Sequence, residues 1–137
     1  MARELISEAA IRVRYADTDK MGYVYYANYL VYFEVGRTEF IRNVWKPYSE
    51  IEEMGYILPV LASGVEYKSS AYYDDLLKVR TSLKKFTGVK MRFEYQVCRG
   101  ETLIATGFTE HCFTNPEGKP TRIPLEMREK LKNIMSC

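Results

Sequence analysis

The chain has 137 residues, 47% of them hydrophobic, 14% aromatic and 28% charged, a composition that fits one domain over 1–137 and excludes a disordered chain. Twenty Lys and Arg against 18 Asp and Glu leave a formal charge of +2, too weak a bias to drive sequence-independent binding to nucleic acid by counterion release. Nucleic acid is therefore not an expected partner.

In chain order, the first element is Ala10 to Tyr15, where Ile11, Val13 and Tyr15 alternate with Arg12 and Arg14 in the period of a half-buried strand. It stops at Asp17. From Tyr26 the spacing changes. Tyr29, Leu30, Phe33, Arg37, Phe40, Ile41 and Val44 recur at steps of three and four, predicting a helix that runs to about Asn43. Val31, Val35 and Ala27 lie off that stripe, so the helix needs cover around much of its circumference. Ile57 to Lys68, Leu77 to Phe86, Val89 to Cys98 and Leu103 to Thr114 are rich in β-branched and aromatic residues and read as strands. Thr87-Gly88 and Arg99-Gly100 supply turns between the last three, which predicts an antiparallel meander. Asn115-Pro116-Glu117-Gly118 is a further turn, and Pro124 opens a final helix, Leu125 to Ile134.

This order predicts an α+β domain whose five-stranded antiparallel sheet curves round one long central helix, with a short C-terminal helix. A helix of about seventeen residues is about 25 Å long, enough to cross such a sheet. The sheet still has edges and one uncovered face, so a partner subunit is expected.

Three cysteines, Cys98, Cys112 and Cys137, form no Cys-x-x-Cys pair and read as reduced thiols; with His111 the only histidine, no metal site is expected. The first residues lack the apolar core of a signal peptide, and the longest apolar stretch, Tyr56 to Ala62, is broken by Pro59 and too short for a membrane span. A cytoplasmic protein is expected.

The densest polar constellation runs from Tyr15 to Tyr29, Tyr-Ala-Asp-Thr-Asp-Lys-Met-Gly-Tyr-Val-Tyr-Tyr-Ala-Asn-Tyr, between the first strand and the long helix. The first four N–H groups of a helix lack intrahelical partners and, with the macrodipole, favour negative charge. No Ser, Thr or Asp stands just ahead of the helix to close them, so a ligand carbonyl can take them. The residues alone also admit a plainer arrangement, in which Asn28 caps a helix beginning at Tyr29 while Asp17 and Asp19 finish a loop.

Asp-Thr-Asp, then Gly22, large residues, Ala-Asn-Tyr and a helix closing in Glu34, Arg37, Thr38 and Glu39 resembles the hotdog-fold acyl-CoA thioesterases of the 4-hydroxybenzoyl-CoA thioesterase type, which include the Tol-Pal-associated thioesterases. Tyr73-Asp74-Asp75 and the run from Phe113 to Pro124 extend the resemblance over nearly the whole chain. It implies hydrolysis of a short-chain or aromatic acyl-CoA, with Asp19 as the catalytic carboxylate and the Tyr26 backbone N–H as the group that polarises the thioester carbonyl. It also implies a homodimer with the pocket at its interface, often paired into a homotetramer, and no cofactor beyond the coenzyme A of the substrate. A noncatalytic acyl-CoA-binding module is the alternative. In the Tol-Pal-associated branch the position of Tyr26 is typically a histidine. Its absence removes a histidine-assisted route and also counts against a hotdog dehydratase.

The chemistry is consistent with those residue types. A backbone N–H at a buried helix terminus stabilises the charge that develops on an attacked carbonyl, and an ionised Asp19 can serve as nucleophile or as base toward water. Asp17 is expected to bond loop N–H groups, Asp74 and Asp75 to organise a turn, and His111 to be a structural strand histidine. Lys84, Lys85, Lys90 and Arg92 flank the Thr87-Gly88 turn as candidate cations for the coenzyme phosphates, none assigned individually.

Overall fold

The computed structural model describes residues 6–135. Its elements are β1 (Ile6–Arg12), α1 (Asn28–Val44), α2 (Tyr48–Glu53), β2 (Val60–Tyr67), β3 (Leu76–Phe86), β4 (Lys90–Arg99), β5 (Thr102–Thr114), β6 (Pro120–Thr121) and α3 (Leu125–Met135). The main sheet is antiparallel throughout in the order β1-β3-β4-β5-β2, with β6 paired to the end of β5. This is the hotdog arrangement, α+β with the sheet laid over one long helix, and β3, β4 and β5 form the expected meander.

Strict alternation in the two central strands explains why the helix lies where it does. Leu77, Val79, Thr81 and Leu83 of β3 and Met91, Phe93, Tyr95 and Val97 of β4 are all buried and turn one apolar face toward α1. Phe33 stacks on Tyr95 with ring centroids 4.3 Å apart, and Phe40 meets Phe93 edge-on at 5.4 Å. Each such ring contributes on the order of 1.5–3 kcal/mol by leaving water. Gly36 lets helix and sheet approach closely: a Cβ there would lie 2.8 Å from Val79 Cγ1 and closer still to Thr81 Oγ1. At the other end of α1, Trp45 and Val44 are buried, and α3 buries Met127 and Leu131.

Four details differ from the sequence reading. The first strand occupies Ile6–Arg12 instead of Ala10 to Tyr15. Pairing with β3 ends at Arg12, and the chain then tightens into a 3₁₀ turn over Tyr15–Asp17. The short helix α2 breaks the segment after α1 and drives Ile51, fully buried, into the core. The strand expected from Ile57 starts at Val60, with Ile57 held to Thr114 by an isolated bridge. A two-residue sixth strand, β6, adds to the expected five. Its proline gives no strand signal in sequence.

The α1 stripe buries Tyr29, Tyr32, Phe33, Gly36, Phe40, Ile41 and Val44, whereas Leu30, Val31 and Val35 remain exposed within the single chain. At the sheet edge, β2 pairs only with β5 and exposes Val60, Leu61 and Tyr67. Cys98 and Cys112 are free thiols, and Cys137 lies outside the described residues. Among the described residues no group of three or more His, Cys, Asp or Glu could hold a metal, and no helix is long and apolar enough to cross a membrane.

Candidate active site

The loop between β1 and α1 is built on Asp17. Its carboxylate is buried and accepts from the Arg14 N–H at 3.0 Å, from the Arg14 guanidinium at 3.0 and 3.2 Å, and from the Tyr32 hydroxyl at 3.0 Å. Its backbone carbonyl accepts from the Tyr25 N–H and from Asn28 Nδ2, each at 2.8 Å. Burial alone would raise the Asp17 carboxyl, but the Arg14 donors and the Tyr32 hydroxyl outweigh it and hold the group below the usual carboxylate value. Asp17 therefore has the structural role expected of it.

Asp19 sits two residues on in a small reversal. Its N–H donates to Tyr23 O at 2.9 Å, and Gly22, at φ +85°, donates back to Asp19 O at 3.0 Å. Gly22 meets nothing within 4 Å where a Cβ would stand, so the glycine there serves the positive φ and no close contact. Asp19 Oδ1 accepts from the N–H groups of Met21 (2.9 Å) and Tyr23 (3.3 Å), which leaves Oδ2 without a hydrogen bond among the described residues. The Tyr25 hydroxyl is raised above its usual value first by the Tyr26 hydroxyl beside it and last by Asp19, so the carboxylate lies within electrostatic reach of the helix entrance.

The helix begins at Asn28, with Ala27 in the N-cap position and no side-chain cap. Asn28 does not cap it, contrary to the plainer arrangement, because its side chain is drawn across to Asp17. The N–H groups of Asn28, Tyr29 and Leu30 turn back to the carbonyls of Tyr25, Tyr26 and Ala27. Among the described residues the Tyr26 N–H donates to no acceptor. The neighbouring segment supports this loop: Val24 N–H donates to Ala71 O, Tyr23 packs on Tyr72 and Tyr15 on Tyr73. Asp75 accepts from Tyr72 N–H and from Arg99 at 2.8 Å, and Asp74 takes φ 70°, so the two aspartates do organise a turn.

A family model described as the thioesterase-like superfamily matches residues 13–131. The chain belongs to that superfamily. Among its relatives, YneP of Bacillus subtilis is 37% identical over 117 residues, 84% of this chain and 85% of that protein. The acyl-CoA thioesterase YbgC of Haemophilus influenzae is 31% identical over 128 residues, covering 90% and 93%. The solved DHNA-CoA thioesterase of Staphylococcus aureus superposes with a TM-score of 0.90 at 32% identity, covering 94% of this chain and 90% of that one.

For a thioesterase-like chain, the structure brings Asp19 and the Tyr26 N–H into one loop at the head of α1 and keeps the other candidates away. His111 is fully buried on β5, where Nε2 lies 2.7 Å from Thr109 Oγ1, itself 2.6 Å from the Tyr95 hydroxyl. Burial, then the nearby Arg37 charge, push the imidazole down to about 4, so it is a neutral core residue. Arg92 pairs with Glu94 and Glu110 and lies over Phe108, on the sheet face turned away from α1. A cleft of about 720 Å³ on that face includes Arg80, Arg92, Gln96 and Phe108 but neither Asp19 nor Tyr26. The Thr87-Gly88 turn borders a second cleft of about 350 Å³, where α3 and the segment before it contribute Arg122, Arg128 and Lys132. These three cations escaped the sequence reading because only the docking of α3 brings them to the turn. They lie at the α1 C-terminal end, as the Lys46–Glu126 contact shows, so within one chain they do not join Asp19.

Proposed function

We propose that this protein hydrolyses the thioester of a short-chain or aromatic acyl-CoA to a free acid and coenzyme A. One observation carries the reading: a partly free carboxylate, Asp19, shares a loop with an undonated backbone N–H, that of Tyr26, at the head of the long helix, a terminus exposed within the single chain and not buried as expected. The N–H takes the carbonyl oxygen as it gains charge, and preorganised donors of this kind contribute roughly 3 kcal/mol. Asp19 either attacks the carbonyl carbon, expelling the coenzyme thiolate and leaving a mixed anhydride that water then hydrolyses to the free acid, or takes a proton from the water that attacks, the proton then passing to the departing thiolate. The names of the relatives support a thioester substrate, and the aromatic acyl class has the Staphylococcus aureus enzyme's own substrate beside it.

The working unit in this reading is a cytoplasmic homodimer, paired into a homotetramer. The unpaired edge of β2 and the exposed Leu30, Val31 and Val35 of α1 support a second copy, because such surface is a liability when left uncovered. The test is release of free thiol from a panel of acyl-CoAs by the wild-type chain and by Asp19→Asn and Asp19→Ala. Loss of at least about a hundredfold in kcat, with thermal stability retained, is expected. An Asp19→Asn chain with full turnover would overturn the assignment, and stabilisation by acyl-CoA without any turnover would make the protein a binding module.

A further inference from the structure

We propose that Tyr67 is a positioning residue for carbonyl polarisation, its hydroxyl holding the peptide that follows the Tyr26 N–H from the neighbouring strand; this rests on the acyl-CoA hydrolase reading. The Tyr67 hydroxyl, at the end of β2, donates to Tyr26 O at 3.1 Å across 41 residues of sequence. That carbonyl is otherwise poorly held. Its bond from the Tyr29 N–H is long, 3.4 Å, and α1 carries no side-chain cap.

Peptide units are planar, so the direction of the Tyr26 N–H follows from the groups fixed on either side of it. The Tyr26 N–H shares its peptide plane with Tyr25 O, which accepts from the Asn28 N–H at 2.9 Å, and one unit upstream the Tyr25 N–H is tied to Asp17 O at 2.8 Å. Downstream, Tyr67 supplies the tie from outside the helix. With both sides held the donor is preorganised; with the downstream tie cut, the peptide after Tyr26 keeps only its stretched helical bond, and its rocking reaches the Tyr26 N–H through the shared Cα, against the one bond at Tyr25 O. The ring is anchored separately, packing against Tyr29 with centroids 5.5 Å apart, while the residue stays half exposed. Removing the oxygen alone therefore leaves the packing in place.

Tyr67→Phe tests this beside Asp19→Ala in the full-length protein, with an acyl-CoA that the wild type hydrolyses. The expected result is a kcat lower by about tenfold, KM within about twofold, and an unchanged thermal midpoint. A second readout is the carbonyl stretch of the same acyl-CoA bound to the slow Asp19→Asn chain. Adding Tyr67→Phe should return that band toward its position in free solution, which a packing defect far from the carbonyl would not do, and this readout decides the matter even where the midpoint falls. An inactive Asp19→Ala together with unchanged kcat and an unmoved band in the Tyr67→Phe chains would overturn the role of Tyr67 and leave the hydrolase reading standing. Wild-type turnover in Asp19→Ala would overturn both.

Discussion

Lowering the pH from 7 toward 4 should destabilise this protein in a window set by His111. In the native state its imidazole is buried among Phe93, Tyr95 and Thr109 with the carbonyls of Leu58 and Pro59 and the Arg37 charge nearby, and its pKa is pushed from about 6.5 down to about 4. The native state therefore resists a proton that the unfolded chain accepts. Stability attributable to this neutral imidazole is complete above pH 6.5 and declines as the pH falls toward 4. At about 1.4 kcal/mol per pH unit, the loss is about 1.4 kcal/mol by pH 5.5 and about 3 kcal/mol near pH 4. Asp17 works in the same sense over a lower range: its lowered carboxyl keeps its contribution above the ordinary carboxylate value of 3.8, and loses it as the pH falls below. Urea unfolding followed by Trp45 fluorescence between pH 7.5 and 4.5 measures the slope. His111→Gln, which keeps a donor for Thr109 and cannot titrate, should flatten it. A wild-type minus variant difference that stays constant across the window would refute the argument.

Gly36→Ala should destabilise the fold by about 2 kcal/mol, because the gain in helix propensity of roughly 1 kcal/mol is outweighed by overpacking against the stiff Val79 and Thr81 side chains; a thermal or urea midpoint at or above that of the wild type would contradict this. Sedimentation at micromolar concentration should find a dimer or tetramer, and a monomer would contradict the proposed assembly.

Periodicity made most of the architecture readable. The α1 stripe and the clean alternation of β3 and β4 each bury one face, so spacing alone places them. What escaped depends on contacts far apart in sequence. β1 extends earlier than its hydrophobic pattern because register with Leu76 to Ser82, not local alternation, defines its length. The α2 turn, anchored by Ile51, and the paired β6 segment have no periodic signature of their own. In the loop, residue types could not tell whether Asn28 caps the helix, since the answer lies in the pull of Asp17 O eleven residues earlier. Tyr67 was invisible as a partner of Tyr26 for the same reason, and so were Arg122, Arg128 and Lys132 as a cluster.

The two aspartates of Asp-Thr-Asp have been given unequal burdens. One is sealed behind Arg14 and Tyr32, the other half open, with acceptor sites that an asparagine would largely reproduce. In the proposed reading, change at position 19 silences turnover while the scaffold persists, whereas change at 17 is felt first by folding.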